Sequence, residues 1–92
     1  MQIKQQIDGD EGLFFVEKDN KPAGEVRFMI NDGEIEIYHT EVDPEFQGQK
    51  LGEELIEYAA NYARQNQLKV VPSCTFAKTV FARNKALQDV LA

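Results

Sequence analysis

Between residues 34 and 63 the spacing of apolar side chains changes its period, and that change limits the fold more than any other feature. From Glu34 to Val42 apolar or β-branched residues fall at nearly every second position, as on a strand with one buried face. From Leu51 onward, Leu55, Tyr58, Ala59, Tyr62 and Ala63 recur at the spacing of one helix face. The join lies in Glu41-Val42-Asp43-Pro44-Glu45-Phe46-Gln47-Gly48-Gln49-Lys50-Leu51-Gly52. Pro44 lacks the N–H that a central ladder needs, and Gly48 and Gly52 allow sharp turning or close approach of another group. A tight strand-to-helix loop leaves the first helical N–H groups unpaired at the positive end of the helix dipole. It is therefore suited to an anion such as a phosphate. The alternative is an ordinary strand-to-helix connection.

The flanking segments are predicted from the same signals. Ile3 to Ile7 reads as a first strand, Asp8 to Gly12 as a turn, Leu13 to Lys18 as a second strand and Asp19 to Pro22 as a turn. Gly24 to Ile30 is the third strand, with Val26, Phe28 and Ile30 on one face and Arg27 and Met29 on the other. Asn31-Asp32-Gly33 is a strong hairpin signal before the fourth. A helix over about residues 50 to 66 then leads to Leu68–Pro72, a fifth strand that a right-handed crossover sets parallel to the fourth. Ser73 is the expected N-cap of a helix over Cys74–Arg83, and Asn84 caps or breaks it before an amphipathic turn from Lys85 to Leu91. The predicted class is α+β: a four-strand antiparallel meander, a crossover helix to a parallel fifth strand, and C-terminal helices.

At 92 residues the chain is expected to form one domain over 1–92, with a modest core. The start lacks a basic segment followed by an apolar run, and no stretch approaches a membrane span, so a cytoplasmic protein with no membrane partner is expected. One cysteine excludes an internal disulfide and, with the single His39, leaves too few soft ligands for a protein-built zinc site. A net charge of −6 argues against nucleic acid as a partner. The charge is uneven: residues 1–46 carry four basic side chains against twelve acids, residues 47–92 six against four. A polyanionic cofactor suits the second half and a cationic amine the first; an acidic surface kept for solubility gives the same asymmetry. No P-loop, G-x-S-x-G, H-E-x-x-H or paired-cysteine motif occurs.

The run Val42 to Gly52 resembles the V-x-P-x-[YF]-[QR]-G-x-G-[IL]-[GA] signature of the GNAT superfamily of N-acetyltransferases. The resemblance implies a minimal GNAT-like fold and acetyl-coenzyme A as cosubstrate, with the loop amides around its pyrophosphate. Gln47, Leu51 and Gly52 match the core Q/R-x-x-G-x-G/A, but Lys50 replaces the first glycine of that core. Lys50 either supplies a cation to the diphosphate or crowds the site. The family's helical excursion between the first two strands and its terminal β-hairpin are both missing. In this the chain is similar to the short stand-alone YjdJ-type N-acetyltransferase-domain proteins, whose hallmarks are a histidine late in the fourth strand and a cysteine just after the fifth. His39 and Cys74 stand at those places.

Acetyl transfer to an amine needs a thioester held against the nucleophile, a base for the ammonium proton and an acid for the leaving thiolate. Histidine is the residue type whose charge changes closest to working pH, so His39 is the candidate base, and strand alternation puts it on the same face as Ile35, Ile37 and Glu41. A relay through His39 or Glu41 is expected unless a bulge changes the face. Cys74 begins a helix, whose dipole favours thiolate, and it stands as the acid or a transient acyl carrier; the alternative is a small buried hydrophobe. Many GNAT enzymes use a tyrosine in this helix, and the aligned residue here is Phe81, which has no hydroxyl. The resemblance thus implies cofactor contacts at Thr40, Val42, Gln47, Gly48, Gln49, Lys50, Leu51, Gly52, Glu53 and Phe81. Catalytic roles fall to His39, Glu41 and Cys74, and no metal is called for. The acceptor is a small-molecule or protein amine, and the protein a monomer or weak dimer. A non-catalytic coenzyme A or acyl-coenzyme A binding module is the rival reading, since Lys50 and Phe81 depart from the pattern.

Overall fold

Asp32 and Gly33 both take positive φ, 51° and 79°, and so close the two-residue hairpin that their sequence predicts. Asp19 and Asn20 do the same at 54° and 64°. The computed structural model describes residues 2–92. It contains strands Lys4–Asp8 (β1), Glu11–Lys18 (β2), Lys21–Asn31 (β3) and Glu34–Val42 (β4), a 3₁₀ turn Pro44–Phe46, helix Leu51–Gln65 (α1), strand Lys69–Pro72 (β5), helix Thr75–Arg83 (α2) and a 3₁₀ segment Lys85–Val90. The five strands form one sheet in sequence order, antiparallel from β1 to β4 and parallel between β4 and β5. The meander and the parallel crossover are as expected. The turns are tighter than expected: only Gly9–Asp10 and Asp19–Asn20 leave the ladder, and Lys21 and Pro22 belong to β3. Pro22 is tolerated because it sits near the strand's start beside a register shift at Val16/Glu17.

One face of the sheet is buried under α1. Leu51, Leu55, Ile56, Ala59, Ala60 and Ala63 are essentially inaccessible, and the alanines let the helix lie close to the strands. Phe14 and Phe28 stack at 4.5 Å between ring centroids, and Tyr58 and Tyr62 close the edge of this cluster at 4.9 and 5.2 Å from Phe14. Both tyrosines are only half-buried, at the rim of the predicted helix face.

The pairing of β3 with β4 shifts between Arg27 and Phe28: Phe28 lies opposite Ile37, but Arg27 lies opposite His39. Tyr38 is the extra residue of a bulge, and beyond it the alternation is inverted. Ile35 and Ile37 face the core, whereas Thr40 and Val42 take the inner face after the bulge and His39 and Glu41 are exposed. His39 and Glu41 therefore do not share a face with Ile35 and Ile37, because one inserted residue reverses every side chain that follows.

A second correction concerns α2. Its N-cap is Cys74, with φ −91° and ψ 150°, and Cys74 Sγ accepts the Ala77 amide at 3.3 Å. Ser73 instead donates its hydroxyl to Glu36 at 2.6 Å. Asn84 both ends α2 and caps the following 3₁₀ segment, its side chain accepting from the Ala86 amide at 3.0 Å. The chain end returns along β5, where the Ala92 amide donates to Val70 O at 2.9 Å and covers part of that edge. Arg64 holds this return in place by donating to Asp89 Oδ1 and Oδ2 at 2.7 and 2.8 Å and to Ala86 O at 2.6 Å.

Phe14→Ala removes the centre of the aromatic cluster and is expected to cost about 3–5 kcal/mol in urea denaturation. The Arg64 hydrogen bond holds Asp89 below its ordinary pKa. A depressed carboxylate stabilises the fold above its unfolded pKa, about 3.9, and the contribution is lost as pH falls through the folded value. The melting-temperature difference between the native chain and Asp89→Asn should accordingly be present at neutral pH and shrink towards pH 2.

Candidate functional site

β4 and β5 stay paired only as far as Ile37 and Pro72. Past that point the Ser73 and Cys74 amides both turn onto Ile37 O, at 2.9 and 3.2 Å, and the chain leaves the sheet to start α2. The remaining edge of β4 on that side, Tyr38 to Val42, has no strand partner among the described residues. A cleft of about 430 Å³ opens beside it, lined by Thr40, Val42, Phe46, Gln47, Gly48, Lys50, Leu51, Gly52, Glu53 and Phe76. A second hollow of about 360 Å³ between the helices shares Glu53 and Phe76 with the cleft and reaches Arg83.

The base of the cleft is the start of α1. The first helical bond runs from the Glu54 amide to Lys50 O at 3.0 Å, so the Leu51, Gly52 and Glu53 amides have no acceptor within the helix. The N-cap is Lys50, which offers no side-chain bond to them. Lys50 and Gly48 adopt φ of 61° and 84°. Glycine suits both sites, since a side chain strains the left-handed region. The Lys50 side chain is exposed and lines the cleft. Gln47 braces the loop by donating to Val42 O at 3.4 Å. A Cβ on Gly52 would lie 2.7 Å from Phe76 Cζ, so the ring rests directly on the helix backbone and forms the far wall.

The other sequence candidates divide. Thr40, Val42, Gln47, Gly48, Lys50, Leu51, Gly52 and Glu53 meet at the cleft, and Gln49 stands in the same loop without lining it. Phe81 does not line it: at 2% exposure it is part of the core. The aromatic beside the cleft is Phe76, one helical turn and a residue earlier, with 40% of its surface exposed. Phe46, at the loop's start, adds a second ring. Phe46 was not singled out from the sequence, where the aromatic position within the V-x-P-x-[YF] pattern was the available signal; Phe76 reads from the sequence as a core residue first and a lining residue second. Cys74 is half-buried, and its Sγ lies 3.2 Å from Thr40 Oγ1, on the inner side of β4. His39 Nε2 is 3.6 Å from Glu41 Oε1, both exposed on the outer side. The acid–base candidates are thus split between the two faces of β4.

The model of the GCN5-related N-acetyl-transferase family matches residues 13–90. The chain belongs to that family. Its fold is also that of a solution structure of a GCN5-like candidate N-acetyltransferase from Staphylococcus aureus, at 32% identity over 99% of this chain and 87% of the other, with TM-score 0.77. The ribosomal-protein-S18-alanine N-acetyltransferase of Escherichia coli superposes at TM-score 0.71 and 18% identity, covering 84% of this chain and 53% of its own. A streptothricin acetyltransferase candidate from Bacillus anthracis, solved in complex with acetyl coenzyme A, gives TM-score 0.65 at 16% identity over 83% and 46%. The likeness to the last two is one of fold, and this chain spans about half the length of each. No curated protein sequence matches the chain. Among the described residues no helix is long and apolar enough to cross a membrane.

In this GCN5-related chain the lysine at the strained position gives a direct test. Lys50→Gly removes left-handed strain of about 1 kcal/mol and adds a somewhat smaller entropic cost of unfolded glycine. Stability in urea should therefore rise slightly, by about 0.5 kcal/mol or less, rather than fall.

Proposed function

We propose that the protein transfers acetyl from acetyl-coenzyme A to a primary amine within a single domain. The observation that carries this reading is the uncapped start of α1 opening into a cleft whose other wall is the partnerless edge of β4. The cofactor's diphosphate would lie on the Gln47–Glu53 segment, where free amides and the helix dipole favour negative charge. Lys50 in the cleft lining and Arg83 in the adjoining hollow add cations. The unpaired backbone of Thr40 to Val42 would hold the pantetheine amides, and Phe76 takes the place expected for Phe81 beside it.

The chemistry then occurs where β4 and β5 part. An amine arriving on the outer side loses a proton towards His39, which Glu41 steadies. Its nitrogen bonds to the acetyl carbon, the carbon–sulfur bond breaks, and the leaving thiolate takes a proton. Cys74 is the group on the inner side that can provide that proton, or that can carry the acetyl as a thioester between two exchanges. Its contact with Thr40 Oγ1 supports a positioned thiol. One observation favours the rival, a coenzyme A binding module without turnover: neither His39, Glu41 nor Cys74 lines the cleft itself.

Acetyl-coenzyme A at about 100 times its dissociation constant should stabilise the fold by about 2.7 kcal/mol, read as a raised melting temperature. No shift would remove both readings. Thiol release with a panel of amines separates enzyme from module. In an enzyme, His39→Ala and Cys74→Ala should each lower turnover by about 10²-fold or more while the thermal shift persists; full turnover in both variants would overturn the assigned roles.

A further inference from the structure

The face of the sheet turned away from α1 has no helix over it among the described residues, and its side chains are exposed or half-buried. Strand register arranges them in rows. One row runs Asp8, Glu11, Met29, Glu36 and Val71 across all five strands. Another runs Lys4, Phe15, Glu25 and Glu41. Between them stand Leu13 and Arg27, with the bulged Tyr38 beside them.

Two features of this face work against the stability of the isolated chain. Asp8 lies directly opposite Glu11 on one face, and Glu25 opposite Glu41, although Glu25 also pairs with Arg27. Like charges opposed across strands are destabilising. Met29 and Tyr38 also leave 43% of their surface in water. The basic groups present are already engaged, Lys4 with Glu17 and Arg27 with Glu25. The face therefore offers carboxylates in excess around an apolar middle.

We propose that this face docks a basic polypeptide segment, and, resting on the acetyl-transfer reading above, that such a segment presents the acceptor lysine. Charge decides against a second copy of this chain, which would set acid against acid. Extent decides against a linear polyamine: three rows over four strands cover roughly 14 Å in each direction, with apolar side chains between the charges. A lysine-rich segment with interspersed apolar residues matches both. The docked segment lies beside His39 and the point where β4 and β5 separate.

The test is titration of the full chain with a short lysine-rich peptide containing leucine, followed by amide NMR, with spermine in a parallel arm. The peptide should shift Leu13, Phe15, Met29 and Tyr38 amides, and binding should weaken with salt. Asp8→Lys combined with Glu11→Lys should weaken binding about tenfold or more, with the acetyl-coenzyme A thermal shift unchanged. Met29→Asp, at a single exposed site, should weaken it too and guards against misfolding of the double variant. Shifts confined to other surfaces, unaltered binding in both variants, spermine binding as tightly as the peptide, or concentration-dependent self-association through this face would each overturn the proposal. Peptide binding here without any acetyl-coenzyme A response would instead sink the acetyl-transfer reading and leave the docking face standing.

Discussion

The separation of β4 from β5 is the constraint on which the remaining architecture depends. A parallel pair that stayed in register to the end of β4 would satisfy its edge with backbone hydrogen bonds and leave no polar groups for a ligand. Here the pairing ends at Ile37–Pro72, and Ile37 O takes two amides from the departing chain. That turn brings Cys74 to the N-cap of α2 and Phe76 onto Gly52. The cleft, the thiol and the aromatic wall all follow from the place where one short strand stops. The Tyr38 bulge lies at the same level. It sends Thr40 inward to meet Cys74 and His39 outward to meet solvent, so that the two candidate groups lie on opposite faces of β4.

Most of the fold was legible because it is written in local signals. Asp32-Gly33 and Asp19-Asn20 demand positive φ, and the change from period two to 3.6 around Gly48 marks where strand gives way to helix. The strand-to-helix loop was legible for the same reason, since the free backbone amides at the start of α1 follow from the loop's place in the chain. The side-chain chemistry was less so. A bulge needs only one extra residue and no distinctive composition, so alternation put His39 and Glu41 on the wrong face. Ser73 is the better N-cap by propensity, yet its hydroxyl finds Glu36 across the β4–β5 pair, and that long-range bond is invisible in local sequence. Phe76 and Phe81 differ by five residues on one helix, enough to put one at the cleft and the other in the core.

The start of α1 is built against local preference. A serine or aspartate cap there would be worth about 1 kcal/mol, and a glycine at position 50 would relieve left-handed strain. A capping oxygen would occupy the amides that the proposed diphosphate would use; with no such cap, the helix start is secured from behind. Leu51 is buried at 2% exposure, and the absence of a Cβ on Gly52 lets the Phe76 ring rest on the backbone. Packing on the inner side thus replaces capping on the outer side. Because that packing includes the first residues of both helices, any side chain added at position 52 must displace Phe76. It would alter the cleft wall and the helix anchor together, and for this reason the site and the fold cannot be varied independently at this corner.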